Sequence, residues 1–171
     1  MRTLVISLFA VCTLGLFGCS KSNSCMVGKW ETTDYVCENR GTEIGEAVIE
    51  GTKEGILLDK YEFDASGSYK CICFYGKILL EGSYKIKGNS LIMTHSKISS
   101  RERLQDEFKE VDDSVNEIFT HNGIFSAKES RTTPARYLIR EINDTTMILT
   151  SDYKMASFDY TNVFFLKKET K

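Results

Sequence analysis

The sequence has no extended run of basic residues. The longest is Lys167-Lys168, and 22 Lys and Arg against 24 Asp and Glu leave the chain with a formal charge of −2. Nucleic acids and anionic membrane surfaces select proteins with strongly basic faces. This charge balance therefore argues against both kinds of partner.

Motifs of catalysis are also missing. The sequence contains no glycine-rich phosphate loop, no His-Glu-x-x-His and no Gly-x-Ser-x-Gly. Its two histidines are His95, expected on the inward face of a strand beside Met93, and His121, expected at a helix C-terminus. No carboxylate or serine nucleophile has a fixed spacing to His95, so a satisfied core or rim histidine is favoured over a general base. We predict that the protein is not an enzyme and uses no cofactor.

The longest apolar stretch, residues 4–17, is fourteen residues long. It is too short to cross about 30 Å of hydrocarbon as a helix. Arg2 precedes it, and the small residue Gly18 follows it. A charged start, a short apolar segment and a small residue before the cut are typical of a secretory signal peptide.

The segment Leu16-Phe17-Gly18-Cys19 resembles the lipobox of bacterial lipoproteins. The resemblance implies that residues 1–18 are removed as a signal peptide. It also implies that Cys19 is acylated, with palmitate among the expected chains, and that residues 19–25 form a lipidated tether. Position 20 is not acidic, which favours the outer membrane of the cell envelope. The remaining 153 residues, 171 minus 18, are the size of one domain.

The mature chain keeps an even number of cysteines for disulfide formation. Cys12 leaves with the signal peptide and Cys19 carries lipid, so Cys25, Cys37, Cys71 and Cys73 remain. In an oxidising compartment this number predicts two disulfides. Cys71 and Cys73 lie on the same face of a strand, so we expect each to pair with Cys25 or Cys37, in either order. A Cys-x-Cys pair can instead bind a soft metal such as Cu(I), but no second such pair supports a metal site, and we predict none.

Short runs of β-forming residues alternate with turn residues along most of the mature chain. In residues 79–87, Leu80, Gly82, Tyr84 and Ile86 fall on one face and polar residues on the other. Alternation with period two predicts an antiparallel sheet with one buried side. The eight predicted strands are 27–36, 56–63, 68–75, 79–87, 90–96, 136–142, 147–151 and 160–168.

Two stretches depart from this alternation. Residues 37–55 are charged and rich in glycine, which predicts a long surface loop with one short element at 46–49. Residues 102–120 place apolar side chains at helical spacing, which predicts an amphipathic helix packed on the sheet. The apolar positions of that helix are Leu104, Phe108, Val111, Val115 and Ile118.

The order of these motifs is similar to that of the lipocalin-like domains of small bacterial lipoproteins. The matching segments include Gly28-Lys29-Trp30, Gly82-Ser83-Tyr84 and Phe164-Phe165-Leu166-Lys167-Lys168. The resemblance implies an eight-stranded antiparallel up-and-down barrel over residues 26–171, with a helical insertion at 97–134. It also implies that Trp30 plugs one end beneath Lys167 or Lys168. Ligand-lining residues are then expected at Trp30, Tyr69, Tyr84, Met93 and Tyr137.

Two functions agree with such a barrel. It could bind a small apolar or amphipathic ligand, although eight strands enclose a space that side chains can also fill by themselves. Alternatively, it could be an interaction module of the envelope, either an accessory subunit or an inhibitor of a hydrolase, since a fold does not decide function.

Overall fold

The computed structural model describes residues 24–39, 46–101, 107–115, 117–120, 123–155 and 158–170. The predicted signal peptide, Cys19, Leu104 and His121 lie outside these ranges. Within them, no helix is both long enough and apolar enough to span a bilayer.

All eight predicted strands are present, with shifted ends. The elements in chain order are β1 Gly28–Asn39, α1 Glu46–Ile56, β2 Lys60–Phe63, β3 Ser68–Cys73, β4 Ile78–Lys87, β5 Ser90–Ser100, β6 Lys109–Glu110, β7 Ile118–Thr120, β8 Gly123–Phe125, α2 Ala127–Thr132, β9 Ala135–Ile142, β10 Thr146–Met155 and β11 Phe158–Lys168.

The strands form a closed eight-stranded antiparallel barrel. The pairing runs β1-β2-β3-β4-β5-β9-β10-β11, and β11 pairs back onto β1. Every pair is antiparallel, and β6 adds to the far end of β5 while β7 and β8 form a separate hairpin. Closure leaves no long unpaired edge in the barrel wall. The predicted fold is therefore confirmed.

The tight turn between β4 and β5 forms as predicted. Gly88 has φ of +57°, a left-handed conformation that a residue with a Cβ rarely adopts. Gly88-Asn89 is thus a two-residue hairpin connection whose twist matches that of the flanking strands.

The predicted surface loop at residues 37–55 is wrong in two respects. Strand β1 continues to Asn39, and helix α1 covers Glu46–Ile56. Two contacts hold the helix at the rim of the barrel: Lys53 Nζ lies 2.7 Å from Asp34 Oδ1, and the Tyr75 hydroxyl donates to the Gly51 carbonyl at 2.7 Å. Gly51 and Gly55 have a low helix propensity, so the sequence pattern of this segment does not predict a helix. The contacts with the barrel stabilise the helix in spite of these two residues.

The predicted helix at residues 102–120 is also wrong. Lys109 and Glu110 pair with Ser100 and Ser99 as strand β6, and residues 118–120 form β7. Between them the Asp112 carboxylate accepts a hydrogen bond from the Ser114 amide at 2.8 Å. This local bond competes with a helix, and the β-branched valines on either side favour extended backbone. The insertion does contain a helix, but it is the six-residue α2.

The predicted disulfides are wrong, because Cys25, Cys37, Cys71 and Cys73 are all free thiols. Cys37 lies on β1 and Cys71 and Cys73 lie on β3, with β2 between the two strands. Strands two positions apart are separated by about 9.6 Å, whereas a disulfide needs Cα atoms within about 7 Å. The Cys25 thiol instead donates to Asp144 Oδ1 at 3.4 Å.

Candidate ligand site inside the barrel

One end of the barrel is closed around Trp30, which is fully buried. Its indole N–H donates to the Met26 carbonyl at 2.8 Å. The Lys168 ammonium lies 4.9 Å from the indole centroid and donates to the Cys25 carbonyl at 2.8 Å. A cation over an aromatic face is attracted by the ring quadrupole. The predicted plug is therefore present, and Lys168 is the basic residue that covers it.

Further aromatic rings lie at the same end of the barrel as Trp30. Phe63 packs edge-on against Tyr84, with centroids 5.0 Å apart, and lies parallel to Tyr61 at 6.1 Å. Tyr84 is only half-buried, and its hydroxyl donates to the Asp64 carbonyl at 2.9 Å. Tyr84 therefore closes the lower end of the barrel rather than lining its middle.

The other predicted lining residues are brought together inside the barrel. Tyr69, Met93 and Tyr137 are buried on β3, β5 and β9. Tyr137 packs edge-on against Phe164, with centroids 5.8 Å apart. Met93 lies directly opposite the small side chain of Ala135, so this part of the wall carries one long and one short side chain.

Because Gly82 on β4 has no side chain, the rings of Tyr69 on β3 and His95 on β5 can contact each other over it. It pairs with Tyr69 on one side and with His95 on the other, and β5 bulges at this point. A Cβ on Gly82 would lie 2.0 Å from the Thr94 carbonyl oxygen, so any side chain here would collide with backbone. Over the glycine, the Tyr69 hydroxyl and His95 Nδ1 share a hydrogen bond. His95 is thus a satisfied core histidine, as predicted.

A buried carboxylate lies on the inner wall above this level. Because Trp30 pairs with Tyr61 and both are buried, continuing the register places Thr32 opposite Asp59 on the same inner face. The Thr32 amide donates to the Asp59 carbonyl at 3.1 Å, which confirms this pairing. Tyr61 pairs with Cys71, so the same argument places Asp59 beside Cys73 on β3. Asp59 is 1% exposed and Thr32 is 5% exposed.

The carboxylate of Asp59 affects the pKa of side chains on three strands. Burial is the main cause that raises the pKa of Tyr61, Cys71 and Tyr137 well above their ordinary values, and Asp59 makes a smaller contribution in the same direction to each. All three side chains therefore stay neutral at pH 7. Tyr137 belongs to the opposite wall, so the field of the carboxylate extends across the interior.

The far end of the interior is polar. Tyr35 donates from its hydroxyl to Asn162 Oδ1 at 2.6 Å, and burial raises the pKa of Tyr35 above its ordinary value. Asn162 pairs with Cys37 on one side and with Ser151 on the other. The interior thus changes from aromatic and aliphatic at the Trp30 end to hydroxyl, amide and thiol groups at the other end.

The Cys-x-Cys pair formed by Cys71 and Cys73 supplies two thiols on one strand. Across the part of the chain that the structure describes, no three His, Cys, Asp or Glu side chains are grouped so that they could hold a metal ion.

Solved structures similar to this chain include two from Bacteroides. A lipocalin-like protein from Bacteroides uniformis ATCC 8492 is 16% identical over 85% of this chain and 99% of that protein, with a TM-score of 0.42. An uncharacterized protein from Bacteroides eggerthii DSM 20697 is 18% identical over 84% of this chain and 98% of that protein, also with a TM-score of 0.42. No protein-family model and no curated protein matches the chain. The assignment of the barrel therefore rests on its strand pairing.

Sequence reasoning missed Thr32 and Asp59 as candidate site residues. The missed signal was a two-residue period, since Asp59, Tyr61 and Phe63 alternate with exposed residues and so share the inner face. The predicted strand began at residue 56, inside what is in fact helix α1. That error hid Asp59 in the middle of an apparently apolar run.

Proposed function

We propose that the protein is a lipid-anchored lipoprotein of the bacterial cell envelope whose non-catalytic barrel interior binds a small apolar or amphipathic molecule. The observation that carries the ligand proposal is Asp59, a carboxylate on the inner wall. A core that serves stability alone gains from apolar side chains, since replacing even a paired buried charge by an apolar group is often stabilising. A buried charge among polar groups in an interior is typical of a binding site.

The lipid anchor would place the closed end of the barrel at the membrane. Lys168 and Trp30 hold the carbonyls of Cys25 and Met26 at that end. Cys19 precedes Cys25 by six residues, which extend at most about 20 Å. The polar end of the barrel would then face away from the membrane, where a ligand can reach it from the aqueous phase.

Replacing the acylated residue tests the anchor. We expect Cys19→Ser to abolish labelling by a fatty-acid analogue and to leave an uncut or soluble precursor. The matched control is Cys25→Ser, six residues away, which should be labelled and membrane-bound like the wild type. If Cys19→Ser protein is still processed, labelled and bound to membranes, the chain is not a lipoprotein.

A variant with a narrower barrel interior tests ligand binding. The acylated full chain in nonionic detergent should bind 2-phenylethanol in calorimetry. Ser151→Phe, which adds a ring to the inner wall, should lower the affinity at least tenfold. Thr146→Phe adds the same ring at an exposed position of the same strand and should leave the affinity for 2-phenylethanol unchanged.

The alternative function predicts a different result. If the wild type binds no 2-phenylethanol, native mass spectrometry finds no co-purified small molecule, and crosslinking returns a stoichiometric protein partner, then the ligand proposal is wrong. The barrel would then be an interaction module of the envelope.

A further inference from the structure

We infer that the ligand of this barrel carries a positively charged group, such as a protonated amine, which binds beside Asp59 and against the rings of Tyr61 and Tyr137. The inference rests on the proposed ligand-binding function and specifies the charge of the ligand. Such a site selects cations over anions of the same size and shape.

Asp59 lies where its carboxylate can act on a ligand inside the barrel. It is 1% exposed and directly precedes β2, and its carbonyl accepts a hydrogen bond from the Thr32 amide at 3.1 Å. A charge that is removed from water acts through a low effective dielectric, so its effect on a second charge nearby is much larger than at the surface. A cation beside Asp59 stabilises the ionised form of its carboxylate, which burial by itself disfavours, whereas an anion beside it would be repelled by that form.

The side chains that surround Asp59 on the neighbouring wall are neutral. Tyr61, Cys71 and Tyr137 keep their protons at pH 7, because burial and the nearby carboxylate raise the pKa of each. They add no further negative charge, and they present two aromatic rings. An ammonium group near the face of a tyrosine gains cation–π attraction, which is stronger when the group is desolvated.

The Thr32 hydroxyl provides a hydrogen-bond acceptor on the same inner face. Within the described ranges, Thr32 Oγ1 has no hydrogen-bond partner, although Thr32 is 95% buried, the complement of its 5% exposure. An ammonium group donates up to three hydrogen bonds and accepts none. A hydroxyl oxygen next to a carboxylate provides two acceptors on one side, and the tyrosine rings provide the remaining surface.

The test compares three probes that share a phenylethyl group and differ in charge. These are 2-phenylethylamine (a cation), 2-phenylethanol (neutral) and 3-phenylpropionate (an anion), each titrated by calorimetry at pH 7 into the acylated full chain in nonionic detergent. We expect the amine to bind at least tenfold more tightly than the carboxylate, with the alcohol between them.

Two variants locate the source of this preference. Asp59→Asn keeps the size of the side chain and removes its charge, and we expect it to bind the amine and the carboxylate with affinities within threefold of each other. Glu62→Gln removes the same charge from the exposed outer face of the same strand and should keep the wild-type preference. Circular dichroism of each variant checks that the barrel is folded.

Each outcome decides a separate question. If the wild type binds all three probes equally, or if Asp59→Asn keeps the preference for the amine, the charge inference is overturned while ligand binding stands. If the wild type binds none of the probes, the proposed function fails together with this inference. If Asp59→Asn does not fold, the wild-type order of amine over carboxylate still decides the sign of the preference.

Discussion

Replacing Gly82 by alanine is expected to lower the free energy of unfolding by about 3 kcal/mol. The added Cβ would lie 2.0 Å from the Thr94 carbonyl oxygen and 3.1 Å from the His95 Cα. Both are backbone atoms of the paired strand, so the clash cannot be relieved by turning a side chain. Relief requires β4 and β5 to separate at the bulge, which also breaks the hydrogen bond between Tyr69 and His95.

Urea denaturation followed by the fluorescence of the single tryptophan measures this effect. The matched control is Gly51→Ala in helix α1, where no atom lies within 4 Å of the added Cβ. Alanine is the better helix former, so this control should be stabilised by about 0.5–1 kcal/mol. Equal unfolding midpoints for Gly82→Ala and the wild type would contradict the close approach of β4 and β5.

Trp30→Ala is expected to cost about 3–5 kcal/mol, the range for truncating a fully buried large aromatic residue. The change removes the plug of the closed end, the hydrogen bond to the Met26 carbonyl and the ring beneath Lys168. Since this variant lacks the fluorescent residue, far-ultraviolet circular dichroism in urea is the appropriate measurement.

A second variant separates the plug from the cation above it. Lys168→Met keeps the aliphatic stem over the indole and removes the charge and its hydrogen bond to Cys25. We expect a loss of about 1 kcal/mol, which is the size of one net hydrogen bond or one partly exposed cation–π contact. If Trp30→Ala and Lys168→Met have equally small effects, the closed end is not held by the tryptophan.

Helix and loop predictions failed where local patterns were ambiguous. Residues 102–120 carry apolar residues at helical spacing, but Lys109 and Glu110 pair with β5, and a turn follows at Asp112. Residues 46–56 contain two glycines, yet contacts of Lys53 and Gly51 with the barrel stabilise a helix there. In both segments tertiary contacts decided between local alternatives of similar energy.

The prediction of cysteine pairing failed because it too depends on tertiary structure. The number of cysteines and the expected compartment agreed with two disulfides, and the shared face of Cys71 and Cys73 was predicted correctly. Whether thiols can bond depends on the distance between strands that are remote in sequence. That distance follows from the order of the strands in the barrel wall, which cysteine spacing does not encode.

The sequence by itself determined the eight strands and their antiparallel pairing, because period-two alternation and tight turns are local properties of the chain. The plug at Trp30 was predicted only from the resemblance to lipocalin-like domains. Only the tertiary structure decided which polar groups share the interior. Asp59 and Tyr137 are far apart in sequence, and closure of the barrel brings β2 and β9 to opposite walls of one interior. The charge of that interior, and therefore its proposed choice of ligand, is a property of the closed barrel and not of any single segment.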